Sequence, residues 1–325
     1  MLTESHEFVL RDFAFHTGEV LPELRIHVTL RGHPEGHPVM LLHGTNGSAQ
    51  TLFTPEWEEK LLGPGQVLDA RHHLIIIPDA LGSGRSSKPS NGLRTRFPKY
   101  NYLDMVCAQH RLLTECLSVH HLRLLLGYSM GGMHTWLWAQ HHPDFMDLAV
   151  PMACFPTPMS GRNWMMRRMV IDTIRQDPAW QQGLYTQAPH AARLALAYYA
   201  VATSGGNWGL HLAGPDRAAA DAWLDQRLAG SPVIDANDAL YQYEAARDYD
   251  ASTGLERIRA RVLAINNEDD ERNPPELGLL EQAMTRVAHG RAVWVPRGRD
   301  TAGHATLGSP RFWVDHLTQA MRELD

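Results

Sequence analysis

The sequence has 325 residues, of which 44% are apolar and 20% are charged, proportions typical of a folded globular protein. Its 30 basic and 36 acidic side chains give a formal net charge of -6, and no block of lysine and arginine occurs. Nucleic-acid binding is therefore not expected, because it needs a basic surface. The length fits one large α/β domain, or one core domain that carries an insertion.

The three cysteines, Cys107, Cys116 and Cys154, form no CxxC pair and are too few for a disulfide framework. We therefore expect a reducing, cytoplasmic environment. The opening residues show neither the basic nor the apolar part of a secretory signal. No apolar run reaches the roughly 20 residues that a membrane-spanning helix needs, so no membrane partner is expected.

Histidine is frequent, with 19 residues, and occurs as doublets at 72–73, 120–121 and 141–142. Neighbouring side chains diverge on a helix or a strand, and the HExxH spacing of a zinc site does not occur. We therefore expect no metal ion, and we expect no other cofactor.

The predicted elements begin with two antiparallel edge strands in residues 6–32. Six short apolar runs follow, each too short for a helix, at 38–44, 73–82, 122–129, 147–154, 260–270 and 291–298. Helical patterns lie at 102–118, 130–142, 275–288 and 310–323. Strands that are apolar on both faces and alternate with helices predict an α/β fold, with a mostly parallel sheet and helices on both faces.

The alternation stops between residues 155 and 246, where helical patterns rich in Trp, Met and Tyr replace the strands. Such a stretch between two strands of one sheet predicts an inserted helical cap. We assign residues 155–246 to this cap, and residues 1–154 and 247–325 to the core. The cap is expected to roof a pocket, because ligands of α/β proteins bind at the carboxyl ends of the strands. The alternative is a helical subdomain that only supports the core.

The pentapeptide GYSMG, residues 127–131, fits the pattern G-x-S-x-G. A leucine-rich strand precedes it and an amphipathic helical pattern follows, which is the strand–turn–helix setting of a nucleophile elbow. The turn would expose the Ser129 hydroxyl at the amino end of the helix, where the helix dipole favours negative charge. A plain glycine turn is the alternative interpretation.

A serine nucleophile needs a base and an acid, which on this kind of sheet follow the serine in the order acid, then histidine. His304 lies in a glycine-flanked loop after the last predicted strand. Glu268, Asp269 and Asp270 are alternatives for the acid. We favour Asp270, because it lies three residues after Asn267, the expected end of the strand.

The oxyanion of an acyl-transfer reaction needs two backbone N–H donors. Met130 follows the serine and is the first candidate. Thr45, in the stretch HGTNG after the first buried strand, is the second. A phosphate-binding loop at this stretch is disfavoured, because the GK[ST] ending is missing.

Together these segments resemble the α/β-hydrolase superfamily and, within it, the homoserine O-acetyltransferase group. The stretches LLHGTNGSAQ and GYSMGGMHTWLWAQHHPD occur across many esterases, whereas YLDMVCAQ, DPAWQQGLY and DANDALY are more specific to that group. The resemblance implies an α/β-hydrolase fold with a helical cap and the triad Ser129, Asp270 and His304. It also implies a homodimer packed through the cap, as is frequent in the group.

Two departures from that group bear on the substrate. The acetyltransferases have an aspartate directly after the catalytic histidine, which holds the substrate ammonium, and here Ala305 occupies that position. They also have an arginine six residues before the Asp-Pro of the cap, which grips the substrate carboxylate, and here Ile171 aligns with it. Arg167 and Arg168, one turn away, are alternative candidates for the missing arginine.

These observations favour a serine hydrolase that cleaves a carboxylic ester, or a related acyl substrate, through an acyl-enzyme on Ser129. An O-acyltransferase with an acyl-CoA donor is the main alternative, and a non-catalytic binding protein is a weaker one. The aromatic and methionine content of the cap favours a small-molecule substrate with an apolar portion. Tyr128, Trp164 and Arg168 are further candidates for substrate contact.

Overall fold

The computed structural model describes residues 3–230 and 234–324. Its centre is one sheet of eight strands in the order β1-β2-β4-β3-β5-β6-β7-β8. The strands are β1 (Thr3–Ala14), β2 (Val20–Gly32), β3 (His37–Leu42), β4 (His73–Pro78), β5 (Leu122–Tyr128), β6 (Met146–Met152), β7 (Arg261–Asn267) and β8 (Gly290–Val295).

The first two strands form an antiparallel edge, because β1 pairs with β2, and β2 with β4, in antiparallel register. All pairs from β4 across to β8 are parallel. The predicted α/β class, the mostly parallel sheet and its antiparallel edge are therefore confirmed. Each parallel strand ends before the corresponding apolar run does, because the last residues of the run turn into loops at the carboxyl edge of the sheet.

Apolar side chains cover both faces of the sheet, which explains why the strands read as continuous apolar runs. Successive residues of a strand point to opposite faces. In β3, Met40 and Leu42 join the apolar cluster on one face, and Val39 and Leu41 join the cluster on the other.

The helices of the core flank this sheet. They are α1 (Pro55–Trp57), α2 (Tyr102–Arg111), α3 (Met130–His141), α9 (Leu279–Met284) and α10 (Val314–Arg322). The helix expected over 275–288 is shorter than predicted, because Gly278 has a φ of 61° and separates a 3₁₀ turn at Pro275–Leu277 from α9. The amphipathic character expected of α3 is wrong. Every residue from Met130 to Gln140 is buried, because α3 packs against β5 and β6 and is covered by α2.

The stretch between β6 and β7, called the insertion below, is helical in its described part. It contains α4 (Gly161–Gln176), α5 (His190–Thr203), α6 (Gly206–Ala213), α7 (Arg217–Gly230) and α8 (Ala236–Glu244). Of these helices, α4, α5 and α8 contribute to an apolar cluster that is separate from the two clusters of the sheet and includes Val170, Ile171 and Ile174. The domain boundaries at residues 155 and 246 stay a prediction. None of the described helices has the length and apolar character that crossing a membrane requires.

Candidate active site

Ser129 occupies a sharp turn between β5 and α3. Its backbone has a φ of 55° and a ψ of -111°, a strained conformation for a residue other than glycine. The Ser129 N–H donates a hydrogen bond of 2.8 Å to the carbonyl oxygen of Met152 at the end of β6. This hydrogen bond to β6 therefore stabilises the strained conformation of Ser129, whose side chain lies at the amino end of α3.

The glycines around Ser129 are needed because backbone approaches backbone at the turn. A Cβ atom on Gly127 would lie inside van der Waals distance of the Gly131 carbonyl oxygen. A Cβ atom on Gly131 would collide in the same way with the carbonyl oxygen of Leu42 in β3. The G-x-S-x-G pattern therefore reflects the close packing of β3, β5 and α3.

Ser129, His304 and Asp270 come together at the carboxyl edge of the sheet. His304 Nε2 lies 2.9 Å from Ser129 Oγ, and His304 Nδ1 lies 2.8 Å from Asp270 Oδ2. The three residues are no more than 4% exposed. Asp270 also accepts hydrogen bonds from Asn273 Nδ2 at 2.9 Å and from the Arg272 N–H at 2.8 Å, which orient its carboxylate. This arrangement allows an Nδ1–H that donates to Asp270 and a free Nε2 that accepts the serine proton.

The electrostatic surroundings keep the base neutral and the acid ionised. Burial lowers the pKa of His304 below 6.5, and the nearby Arg272 guanidinium lowers it further, although Asp270 and Glu271 oppose the shift. Burial would raise the pKa of Asp270, but its interaction with His304 and its hydrogen bonds lower it below the ordinary value. A neutral imidazole beside a carboxylate is the pair that general-base catalysis requires.

The competing acids of the loop after β7 have separate contacts. Asp269 accepts a hydrogen bond of 2.7 Å from Thr301 Oγ1, and Glu268 accepts one of 3.2 Å from the Arg297 N–H. Both acids therefore tie this loop to the histidine loop, while Asp270 alone contacts the His304 ring.

Glu271 was not singled out from the sequence, although it belongs to the same acidic run. One carboxylate oxygen accepts the His304 N–H at 2.9 Å, and the other accepts the Gly206 N–H of the insertion at 2.7 Å. The Glu271 carboxylate also lies so close to Gly303, whose φ is 56°, that a side chain at this position would collide with it. Glu271 thus joins the histidine loop to the insertion.

The two candidate oxyanion donors lie at the turns after β3 and β5. Gly44 packs against the elbow so closely that a Cβ atom on this residue would lie 3.5 Å from Ser129 Cβ, and Thr45 directly follows it in the chain. His43 contacts the Gly44 carbonyl oxygen through Nδ1 at 2.8 Å and accepts the Ala80 N–H at Nε2. Within the described residues, the N–H groups of Thr45 and Met130 have no protein acceptor, so both are available to an oxyanion.

The predicted substrate contacts have different surroundings. Tyr128 donates a hydrogen bond of 2.9 Å to the His304 carbonyl oxygen, so it positions the histidine loop. Trp164 packs against the apolar cluster of the insertion and lies under the Arg247 guanidinium. Arg168 does not point to the site: it is exposed and pairs with Asp172 one turn along α4. One residue earlier, Arg167 is fully buried and contacts Thr45 Oγ1 at 3.2 Å.

Metal binding is not indicated by the geometry of the described residues, among which no three His, Cys, Asp or Glu side chains form a group that could hold an ion. The site described above consists of protein groups: a hydroxyl, an imidazole, a carboxylate and two N–H donors. Such a set is typical of sites for acyl transfer.

The sheet order, the elbow and the triad define the class of protein. The sequence profile of the α/β hydrolase fold matches residues 37–283, and the chain belongs to the α/β-hydrolase superfamily. A homoserine O-acetyltransferase from Haloarcula marismortui is 30% identical over 315 residues, covering 82% of this chain and 77% of that relative. Within the superfamily, the chain is therefore an enzyme of the homoserine O-acetyltransferase-like group.

Two further comparisons bear on whether the chain is a hydrolase or an acyltransferase. An ethyl acetate hydrolase from Pseudomonas veronii is 31% identical over 173 residues, covering 49% of each chain. The crystal structure of homoserine O-acetyltransferase from Bacillus anthracis superposes with a TM-score of 0.85 at 17% identity, covering 99% of this chain and 98% of that one. The structural likeness establishes the fold, and the named activities are those of the relatives.

The packing at the elbow predicts that Gly127→Ala destabilises the protein. Its methyl group would collide with backbone of α3, which has no freedom to move away, so we expect a loss of at least about 1–3 kcal/mol in the free energy of unfolding. Chemical denaturation measures this value. Gly298→Ala is the matched control, because a Cβ there meets no atom within 4 Å. An unchanged stability of the Gly127 variant would contradict the packing described here.

The two charges beside His304 predict shifts of opposite sign in its pKa. Removing the positive charge in Arg272→Gln eases protonation and should raise the His304 pKa, whereas Glu271→Gln removes a negative charge and should lower it. The ring titration is measured by NMR and assigned by comparison with a His304→Asn protein. Shifts of the same sign in both variants would contradict this electrostatic description.

Proposed function

We propose that this protein is a serine hydrolase that cleaves a carboxylic ester through an acyl-enzyme on Ser129. The observation that carries the proposal is the continuous hydrogen-bonded arrangement from Asp270 through His304 to Ser129 Oγ. His304 Nε2 takes the Ser129 proton as Oγ attacks the acyl carbon, and the developing oxyanion binds the N–H groups of Thr45 and Met130.

The tetrahedral intermediate collapses when His304 returns the proton to the leaving alcohol oxygen and the carbon–oxygen bond breaks. A water molecule then gives a proton to His304 and attacks the acyl carbon, and the carboxylic acid leaves Ser129 with its hydroxyl restored. Asp270 stabilises the imidazolium in both half-reactions. The cycle needs no metal ion and no redox cofactor.

Hydrolysis is favoured over transfer to homoserine by two positions. Ala305 follows His304 where the acetyltransferase group has an aspartate, so it offers no charge to an ammonium group. Ile171, at the position of the group's arginine, is fully buried in the apolar cluster of the insertion. A charge-assisted hydrogen bond of this kind contributes about 1.5–3 kcal/mol, so the missing ammonium partner at Ala305 weakens homoserine binding, and Ile171 itself offers the carboxylate none.

The second candidate function is O-acyl transfer from an acyl-CoA to an alcohol. It is supported by the relatives, since the Haloarcula marismortui protein and a probable acyltransferase from Methanothermobacter thermautotrophicus each align over more than 80% of this chain. Both functions share the acyl-enzyme and differ in whether water or an alcohol attacks it. A cytoplasmic location and a homodimer through the insertion stay predictions.

A triad that acts as proposed predicts specific kinetic losses with a short-chain p-nitrophenyl ester. Ser129→Ala removes the nucleophile and should lower kcat by more than about 10⁴-fold. Asp270→Asn should lower it by about 10⁴-fold, because the imidazole tautomer is no longer fixed. Thermal denaturation of each variant serves as the control for folding. Ester turnover that survives in Ser129→Ala would disprove the proposal.

Comparison of the two acyl acceptors separates hydrolysis from transfer. We expect the enzyme to hydrolyse simple esters and to release CoA from acetyl-CoA at a rate that homoserine does not increase. Product analysis by mass spectrometry checks whether any O-acetylhomoserine forms. Homoserine-dependent CoA release that exceeds ester hydrolysis would instead establish the second candidate.

A further inference from the structure

Three arginines around the site lack an acidic partner among the described residues. Arg167, Arg193 and Arg272 form no ion pair with a described carboxylate, and Arg272 Nε donates instead to the Thr203 carbonyl oxygen at 2.9 Å. The neighbouring Arg168 shows the usual arrangement, since it pairs with Asp172 at 2.8 Å.

Arg167 is the most unusual of the three, because it is fully buried. Its guanidinium contacts neutral oxygens, Asn163 Oδ1 and Thr45 Oγ1, each at 3.2 Å. Nη1 is buried without a hydrogen-bond partner. The guanidinium also lies over the Tyr243 ring, 5.2 Å from its centre. An unpaired buried cation costs free energy, which a nearby anion recovers.

A cavity of about 400 Å³ lies beside these arginines, between the insertion and the loop after β3. Arg193, Arg272, Tyr199 and Tyr243 line it, and Arg193 Nε is buried without a partner. Arg227 also lines the cavity, and its guanidinium lies over the Trp223 ring. Through Arg193 and Arg272, the cavity thus presents positive charge, and its described lining contains no Asp or Glu.

Two of the residues that line the cavity adjoin residues of the candidate active site. Asn46 lines it and directly follows Thr45, the candidate oxyanion donor. Arg272 lines it as well, and its own N–H donates to Asp270. The Tyr199 ring lies between two of the cations, with the Arg272 guanidinium 4.8 Å and the Arg167 guanidinium 5.8 Å from its centre. The cavity therefore lies beside the loop after β3 and the loop that carries Asp270.

We propose that this cavity binds a carboxylate carried by the ester substrate, a few carbon atoms away from the ester bond. This inference rests on the proposed function and names the substrate class of the same site. The volume suits a small organic acid, and the arginines supply charge-assisted hydrogen bonds. Because no carboxylate in the described lining pairs with an ammonium, the cavity favours an acid without an amino group over an amino acid.

Two pairs of substrates test whether the protein recognises the carboxylate charge. The two members of each pair differ in charge but little in shape. One pair is 4-acetoxybutanoate and its amide, in which the charge lies on the alcohol part. The other is monomethyl glutarate and its amide, in which the charge lies on the acyl part. In at least one pair, we expect the carboxylate to have a kcat/KM at least about tenfold above that of the amide. Equal or higher values for the amide in both pairs would overturn the inference.

Substitution of a cavity arginine then tests where the protein recognises the carboxylate. Arg193→Gln should abolish most of the preference for the carboxylate, while the kcat/KM of the neutral amide changes far less. Arg217→Gln is the control, because Arg217 is an exposed arginine of the same insertion. A preference that persists in Arg193→Gln, or that disappears equally in the control, would show that the carboxylate is recognised elsewhere.

A binding measurement separates failure of this inference from failure of the proposed function. Calorimetry on the Ser129→Ala protein should detect glutarate and fail to detect glutaramide, whether or not the native protein is an esterase. Loss of glutarate binding in Ser129→Ala with Arg193→Gln supports the cavity. Ser129-dependent ester cleavage without carboxylate preference or glutarate binding would overturn the inference and leave the proposed function standing.

Discussion

The hydrogen bond between the His304 ring and the Ser129 hydroxyl is the interaction on which the site depends. Its two residues are 175 positions apart in the chain, and other groups fix each of them: Met152 accepts the Ser129 N–H, and Asp270 contacts the His304 ring. The strained turn at Ser129 persists because β3, β5 and β6 pack around it, and Met152 accepts its N–H. The stability of the sheet therefore offsets the backbone strain that places the Ser129 hydroxyl within reach of His304.

The loop after β7 positions His304, the other partner in that hydrogen bond. Within four consecutive residues, Asp270 orients the imidazole, Asp269 and Glu271 bind the histidine loop, and Arg272 supplies a positive charge. Glu271 also binds the Gly206 N–H, so the same carboxylate holds the insertion and the catalytic base. A displacement of the insertion would thus act on His304 through one side chain.

The fold was predictable because strands buried on both faces alternate with helices along the sequence, and the elbow pentapeptide marks one junction between them. Other features depend on information that the sequence does not carry. Arg167 and Arg168 are adjacent, and only the rotation of α4 against the core decides that Arg167 is buried beside Thr45 while Arg168 meets Asp172. Likewise, the acidic run after β7 contains several suitable carboxylates. Which of them contacts His304, Thr301 or Gly206 is set by loops that converge in space.

Covalent labelling of the nucleophile tests the central claim most directly. A fluorophosphonate probe reacts with a serine only where a base and an oxyanion site activate it, and intact-protein mass spectrometry followed by peptide mapping locates the adduct. We predict a single adduct on Ser129, absent from the Ser129→Ala protein and formed much more slowly in His304→Ala. No adduct on the native enzyme, or an adduct on another residue, would contradict the assignment of Ser129 and His304 as nucleophile and base.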